Sequence, residues 1–197
     1  VTLFFMGQFR QARRYLERSV TLYRERPPLL GTVQEPIVDA LSVLPSVLWA
    51  LGQPDSSLNV LSEANATAQK FSQPYSLVYA DYWSARLFQL RREPEKVLAH
   101  AEASLTRSNE KKLELFLENA GRNWRVVHSA VGGIIQAWAW VKRGRGETAL
   151  PRIKEAIEGW RGIGAEIHVP YYLGVLADCC GEMHMTDEGL EALREAI

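Results

Sequence analysis

Apolar and polar residues alternate along this chain with the period of a helix, and the pattern recurs. Five segments share it: MGQFRQARRYLERSV, LGQPDSSLNVLSEAN, LRREPEKVLAHAEASL, KRGRGETALPRIKEAI and MHMTDEGLEALREAI. They align on Gly7, Gly52, Arg92, Gly144 and His184. Five positions on stand Ala12, Ser57, Val97, Ala149 and Gly189, all small or slim. Nine positions on stand Leu16, Leu61, Ala101, Ile153 and Leu193, all apolar. Twelve positions on stand Ser19, Ala64, Ser104, Ala156 and Ala196, all small. These offsets fall on one helical face, with small residues where a neighbouring helix must come close.

Each such helix is preceded by a turn and, before that, by an apolar, aromatic stretch. The stretches are VDALSVLPSVLWAL, YSLVYADYWSARLFQL, VVHSAVGGIIQAWAWV and YYLGVLADCC. The unit is therefore a helix–turn–helix pair, repeated at spacings of 45, 40, 52 and 40 residues. These exceed the ~34 of a plain tetratricopeptide repeat but keep its layout. The extra length falls near 24–34, 69–74 and 107–124, with NEKKLELFLENAGRN extending the second helix of pair three. Two of the turns carry a proline, Pro54 and Pro94, which suits a first helical turn. Pro45 lies inside a helix and is expected to kink or split it. Arg92 and His184 stand where the other turns carry glycine, so those two turns are expected to differ in shape. Pro170 is expected to start a helix, with Val169 extended before it and His168 outside.

No strand-type alternation persists anywhere, so the class is all-α. The expected architecture is a right-handed superhelical solenoid of about four and a half tetratricopeptide-like helix pairs, one repeat domain over residues 1–197. The first helix of pair one is cut to VTLFFM, and neither end shows a polar capping repeat. The sequence reads as a piece of a longer protein.

Certain of these segments also carry a resemblance. LGQPDSSLNVLSEANATA, QLRREPEKVLAHAEA, GAEIHVPYYLGVLADC and EGLEALREAI resemble the tetratricopeptide-like C-terminal region of bacterial multidomain signalling ATPases. These proteins are of the STAND type and are described as predicted ATPases or adenylate/guanylate cyclases. The resemblance implies a regulatory or scaffolding role beside catalytic domains. Those domains are not in this chain: no Gly-x-x-x-x-Gly-Lys-Ser/Thr occurs, and GRGETAL lacks the lysine.

Composition narrows the chemistry. Lys+Arg and Asp+Glu balance at 23 each, which argues against a nucleic-acid or anionic-membrane binder. No apolar run approaches the ~20 residues of a membrane span. Two adjacent cysteines form no disulfide framework, and a cytoplasmic setting is expected. Cys179 and Cys180, with His168 and His184 near, invite a metal reading. Adjacent cysteines are not the usual zinc spacing, and Cys180 takes the packing slot of Leu48, Phe88 and Trp140. They are read as packing residues, and no metal or cofactor is expected. Ser129 follows His128, but no Gly-x-Ser-x-Gly elbow exists, and no catalytic residue is expected. Arg10, Arg13, Arg14 and Arg18, and Lys142, Arg143 and Arg145, read as solvated helix faces and ends.

The remaining candidate is a binding face. In arrays of this kind the first helix of each pair lines the concave side. The register places Asp39, Ser42, Trp49, Tyr79, Tyr82, Arg86, Gln89, Trp138, Lys142, Tyr171 and Asp178 there. Tyr, Trp and Arg are the residues enriched at interaction hot spots. The same positions also suit core packing, Trp138 above all, and the register leaves groove and core open. The expected partner is a protein or peptide, or another domain of the same polypeptide. A small-molecule effector held in the same groove is the alternative.

Overall fold

Proline starts many of the helices in this molecule. In the computed structural model, which describes residues 1–26, 35–108, 123–162, 164 and 166–197, ten α-helices are seen among the described residues. They are α1 (Thr2–Phe5), α2 (Phe9–Glu25), α3 (Pro36–Ala50), α4 (Pro54–Phe71), α5 (Pro74–Leu90), α6 (Pro94–Ser108), α7 (Asn123–Lys142), α8 (Gly146–Gly162), α9 (Val169–Glu182) and α10 (Thr186–Glu195). A 3-10 turn, Glu166–His168, precedes α9. Pro36, Pro54, Pro74 and Pro94 each occupy a first helical position, where the missing N–H costs nothing and the fixed φ suits the helix. No strand occurs among the described residues, and no helix there is long and apolar enough to cross a membrane.

The helices form antiparallel pairs, α1/α2 to α9/α10, in an all-α solenoid. The first helices make a continuous inner layer: α3 packs on α5, α5 on α7, and α7 on α9. The core lies between this layer and the second helices. Leu61, Ala101 and Ile153, at the ninth position of three repeats, are buried there, whereas Leu193 in the last pair is 44% exposed. The small fifth positions explain the close approach within a pair. Gly189 shows it best: a Cβ built there would stand 3.2 Å from Cys180 Cβ.

All five turns share one geometry. Gly7, Gly52, Arg92, Gly144 and His184 have φ of 70, 74, 58, 78 and 58°. The residue after each donates its N–H five residues back: Gln8 to Leu3, Gln53 to Leu48, Glu93 to Phe88, Arg145 to Trp140 and Met185 to Cys180. This is the Schellman closure of a helix C-terminus. The expected difference at Arg92 and His184 is absent. The closing hydrogen bonds and the packing of the following helix hold two non-glycine residues left-handed, at a local cost of about 1–2 kcal/mol each.

Two other expectations are corrected. Pro45 does not split its helix, since α3 runs unbroken from Pro36 to Ala50, and the Pro45 carbonyl accepts a hydrogen bond from buried Ser57 Oγ at 2.8 Å. Val169 is not extended: it is the first residue of α9, and its burial at 7% exposure in the core holds it helical. His168 lies outside α9, as expected, at its N-cap and at the end of the preceding 3-10 turn. The proposed extension over 109–122, and the side chains of His128 and Ser129, lie outside the described residues.

Candidate functional site

The inner layer curls until pair one meets pair five, and Arg86 sits where they meet. Tyr82, Arg86 and Gln89 lie on one face of α5 at spacings of four and three, as a helix requires. Arg86 is 0% exposed. Its guanidinium carbon lies 3.6 Å from the Tyr171 ring centroid, 4.5 Å from Phe5, 5.2 Å from Phe4 and 5.3 Å from Trp83. Its Nη1 donates to Tyr82 Oη at 2.6 Å, and that hydroxyl is 3.3 Å from Tyr172 Oη. Among the described residues no group accepts from Nε or Nη2. Burial works against the charge, but the surrounding Tyr82, Tyr171 and Tyr172 hydroxyls hold the Arg86 pKa above its usual value. The surrounding aromatic rings add cation–π contacts.

Tyr171 Oη donates to Gln89 Oε1 at 2.5 Å, so α5 and α9 are joined a second time. Burial pushes the Tyr171 phenol up to about 12. His168 completes the roof. Its ring is 4.0 Å from Phe5 and 4.7 Å from Trp160, and burial, with the Arg86 charge next, lowers its pKa to about 4.

A second cluster lies further along α9, at the C-terminal ends of the inner helices. Trp138 Nε1 donates to Asp178 Oδ2 at 2.7 Å. Arg92 Nη1 donates to Asp178 Oδ1 at 3.1 Å, and Lys142 Nζ at 3.3 Å. Lys142 also pairs with Glu182. Burial opposes ionisation of Asp178, but the Trp138 hydrogen bond and the Lys142 and Arg92 charges outweigh it and hold its pKa below the usual carboxylate value. The left-handed turn at Arg92 is what places that guanidinium over the end of α9.

Of the positions chosen by register, Tyr82, Arg86, Gln89, Trp138, Lys142, Tyr171 and Asp178 therefore share one connected region. Arg86 and Trp138 are fully buried, Gln89 is buried, and the other four are partly exposed. Tyr79 is buried and stacks on Tyr75 with centroids 5.8 Å apart, close enough to half-buried Asp39 to feel its charge, and Ser42 is buried. Trp49 is half-buried at the end of α3, with the Arg91 guanidinium 4.9 Å from its ring centroid. Phe4, Phe5, His168, Tyr172 and Arg92 belong to the region but were not among the positions chosen by register. Tyr172 adjoins Tyr171 in PYYL and could have been suspected. The contact of Phe5 with pair five depends on curvature, which the repeat pattern does not encode.

The cysteines adjoin Asp178 in the chain but take no part in its hydrogen bonds or ion pairs. Cys179 and Cys180 are free and fully buried, and burial, with Asp178 next, pushes the Cys179 thiol up to about 12. A thiol held protonated is a poor nucleophile and a poor ligand. Among the described residues no group of three or more His, Cys, Asp or Glu is placed to hold a metal ion.

No family model matches the chain, and no curated protein matches it. Two solved structures are similar, both of a putative kinesin light chain of Podosopora anserina with nearly identical TPR-like repeats. One, a point-substituted form, is 15% identical, with a TM-score of 0.49 over 96% of this chain and 85% of that one. The other is 16% identical, with a TM-score of 0.47 over 96% and 86%.

Proposed function

We propose that this chain is a non-catalytic protein-interaction scaffold whose partner docks on the rim of the inner layer, at the C-terminal ends of its first helices. One observation carries the reading. Trp49, Arg91, Arg92, Lys142, Asp178 and Glu182, drawn from four of the five pairs, gather at that end and keep part of their surface in solvent. Aromatic and guanidinium groups that are half-buried and already oriented bind at a low entropic cost. Tyr82, Arg86, Gln89, Trp138 and Tyr171 form the floor behind this rim, with Asp39 and Tyr79 toward the N-terminal ends of α3 and α5.

The setting is that of a bacterial signalling ATPase or cyclase, in which the array holds or senses a neighbouring domain of the same polypeptide in the cytoplasm. The LGQPD turn, the QLRRE turn and the GAEIHVPYYLGVLA stretch support it. The chain is then one repeat domain within a longer protein. The gene around the codon for Val1 provides the first check: an upstream P-loop supports this setting, and its absence removes it. The second check is direct. The upstream region, made separately, is expected to bind this chain in calorimetry and to bind more weakly after Trp49→Ala or Arg92→Glu. Absence of binding, or binding untouched by both substitutions, overturns the rim assignment.

A further inference from the structure

Arg86 poses a problem that the scaffold reading does not solve. A buried guanidinium without an anionic partner is costly, because the charge has left water and gained no counter-charge. Five aromatic rings surround the Arg86 guanidinium carbon, with centroids 3.6 to 5.8 Å away. Tyr82 takes Nη1, while Nε and Nη2 have no acceptor among the described residues. These two N–H groups lie side by side on one edge of the guanidinium, at the spacing of the two oxygens of a carboxylate. A second buried polar atom without a partner is close by: His168 Nδ1. The Phe5 ring touches both groups, 4.5 Å from the guanidinium carbon and 4.0 Å from the His168 ring centroid.

We infer that Arg86 is the anchor of a binding site for a small organic monocarboxylate, held between α5 and α9 under the Phe5 and His168 roof. The carboxylate takes the Nε–Nη2 edge, and His168 adds a hydrogen bond from the α9 side. Tyr171 and Phe5 provide apolar walls for the rest of the ligand. One positive charge with neutral hydroxyls around it balances a single negative charge, so a monoanion fits better than a dianionic phosphate. The enclosure favours a small molecule over a polypeptide, and entry requires the Phe5 ring to swing aside. Occupancy would tie pair three to pair five, fixing the curvature of the inner layer. This goes beyond the scaffold reading and does not depend on it.

The test uses the isotope-labelled chain with sodium benzoate and sodium acetate as probes, against sodium chloride at equal ionic strength. The Arg86 Nε–H resonance, assigned in the unsubstituted chain, is expected to shift saturably with either carboxylate, and the melting temperature is expected to rise with it. In Arg86→Lys, which keeps the charge but loses the two-donor edge, affinity should fall by about tenfold. If that variant does not fold, the resonance titration alone decides. An Nε–H signal unmoved by up to about 100 mM carboxylate, a binding strength far below any specific site, overturns the inference. So does an equal rise in melting temperature in folded Arg86→Lys. Neither result bears on rim binding, which is measured without carboxylate.

Discussion

The Arg86 guanidinium stacks 3.6 Å from the centroid of the Tyr171 ring, although 85 residues of chain separate them. That contact joins pair three to pair five across the inner layer, and it turns two register positions into parts of one buried cluster.

Removing the Arg86 side chain should therefore cost stability through lost packing. Arg86→Ala is expected to lower unfolding stability by about 2–4 kcal/mol, as for truncation of a large buried side chain. Arg86→Met, which fills much of the space without a charge, should recover at least half of that loss. Urea denaturation of the three proteins checks the order.

The turns offer a cleaner test of backbone strain. His184 has φ of 58° where Gly52 and Gly144 stand in other repeats. His184→Gly should stabilise the chain by about 0.5–1 kcal/mol, and Gly52→Ala should destabilise it by about 1 kcal/mol. Opposite shifts of the melting temperature are expected from equivalent positions.

Ser57 is fully buried and donates to the Pro45 carbonyl, while the equivalent Ala12 and Ala149 have no hydroxyl. Ser57→Ala conserves the packing and removes the hydrogen bond. A loss of about 1 kcal/mol in chemical denaturation is expected.

Two ionisable groups should shape the acid limb of stability. His168 has its folded pKa lowered to about 4, by burial first and the Arg86 charge second. The unfolded chain then binds a proton that the folded chain refuses, so stability falls as pH drops from about 6.5 toward 4 and loses nothing further from this group below that. His168→Phe should flatten that part of the profile. Asp178 is lowered instead as an acid, so its contribution is present at neutral pH and is lost as pH falls below about 4. Asp178→Asn should be destabilising at pH 7, and the loss should shrink as pH falls below about 4, as read by urea midpoints.

Much of the fold was legible because helix pairing is written in local chemistry. Proline at first turns, glycine at left-handed turns, and small residues five and twelve positions on each act within one pair. Their physical effects do not depend on the rest of the chain. Arg92 and His184 were harder to read, since residue type argues against a left-handed turn and only the closing hydrogen bonds and the docked next helix impose it. Pro45 likewise reads as a break in isolation, and burial along α3 keeps the helix whole.

The candidate region divides along the same line. Helical register, a property of the sequence, put Tyr82, Arg86 and Gln89 on one face and Tyr171 and Asp178 on another. Whether those faces meet depends on how far the inner layer curls, which is the sum of small rotations between successive pairs. No local pattern specifies that sum. The tertiary structure alone brought Phe5 and His168 over Arg86, Arg92 over Asp178, and a charged side chain into an aromatic interior where its two-donor edge has no acceptor among the described residues.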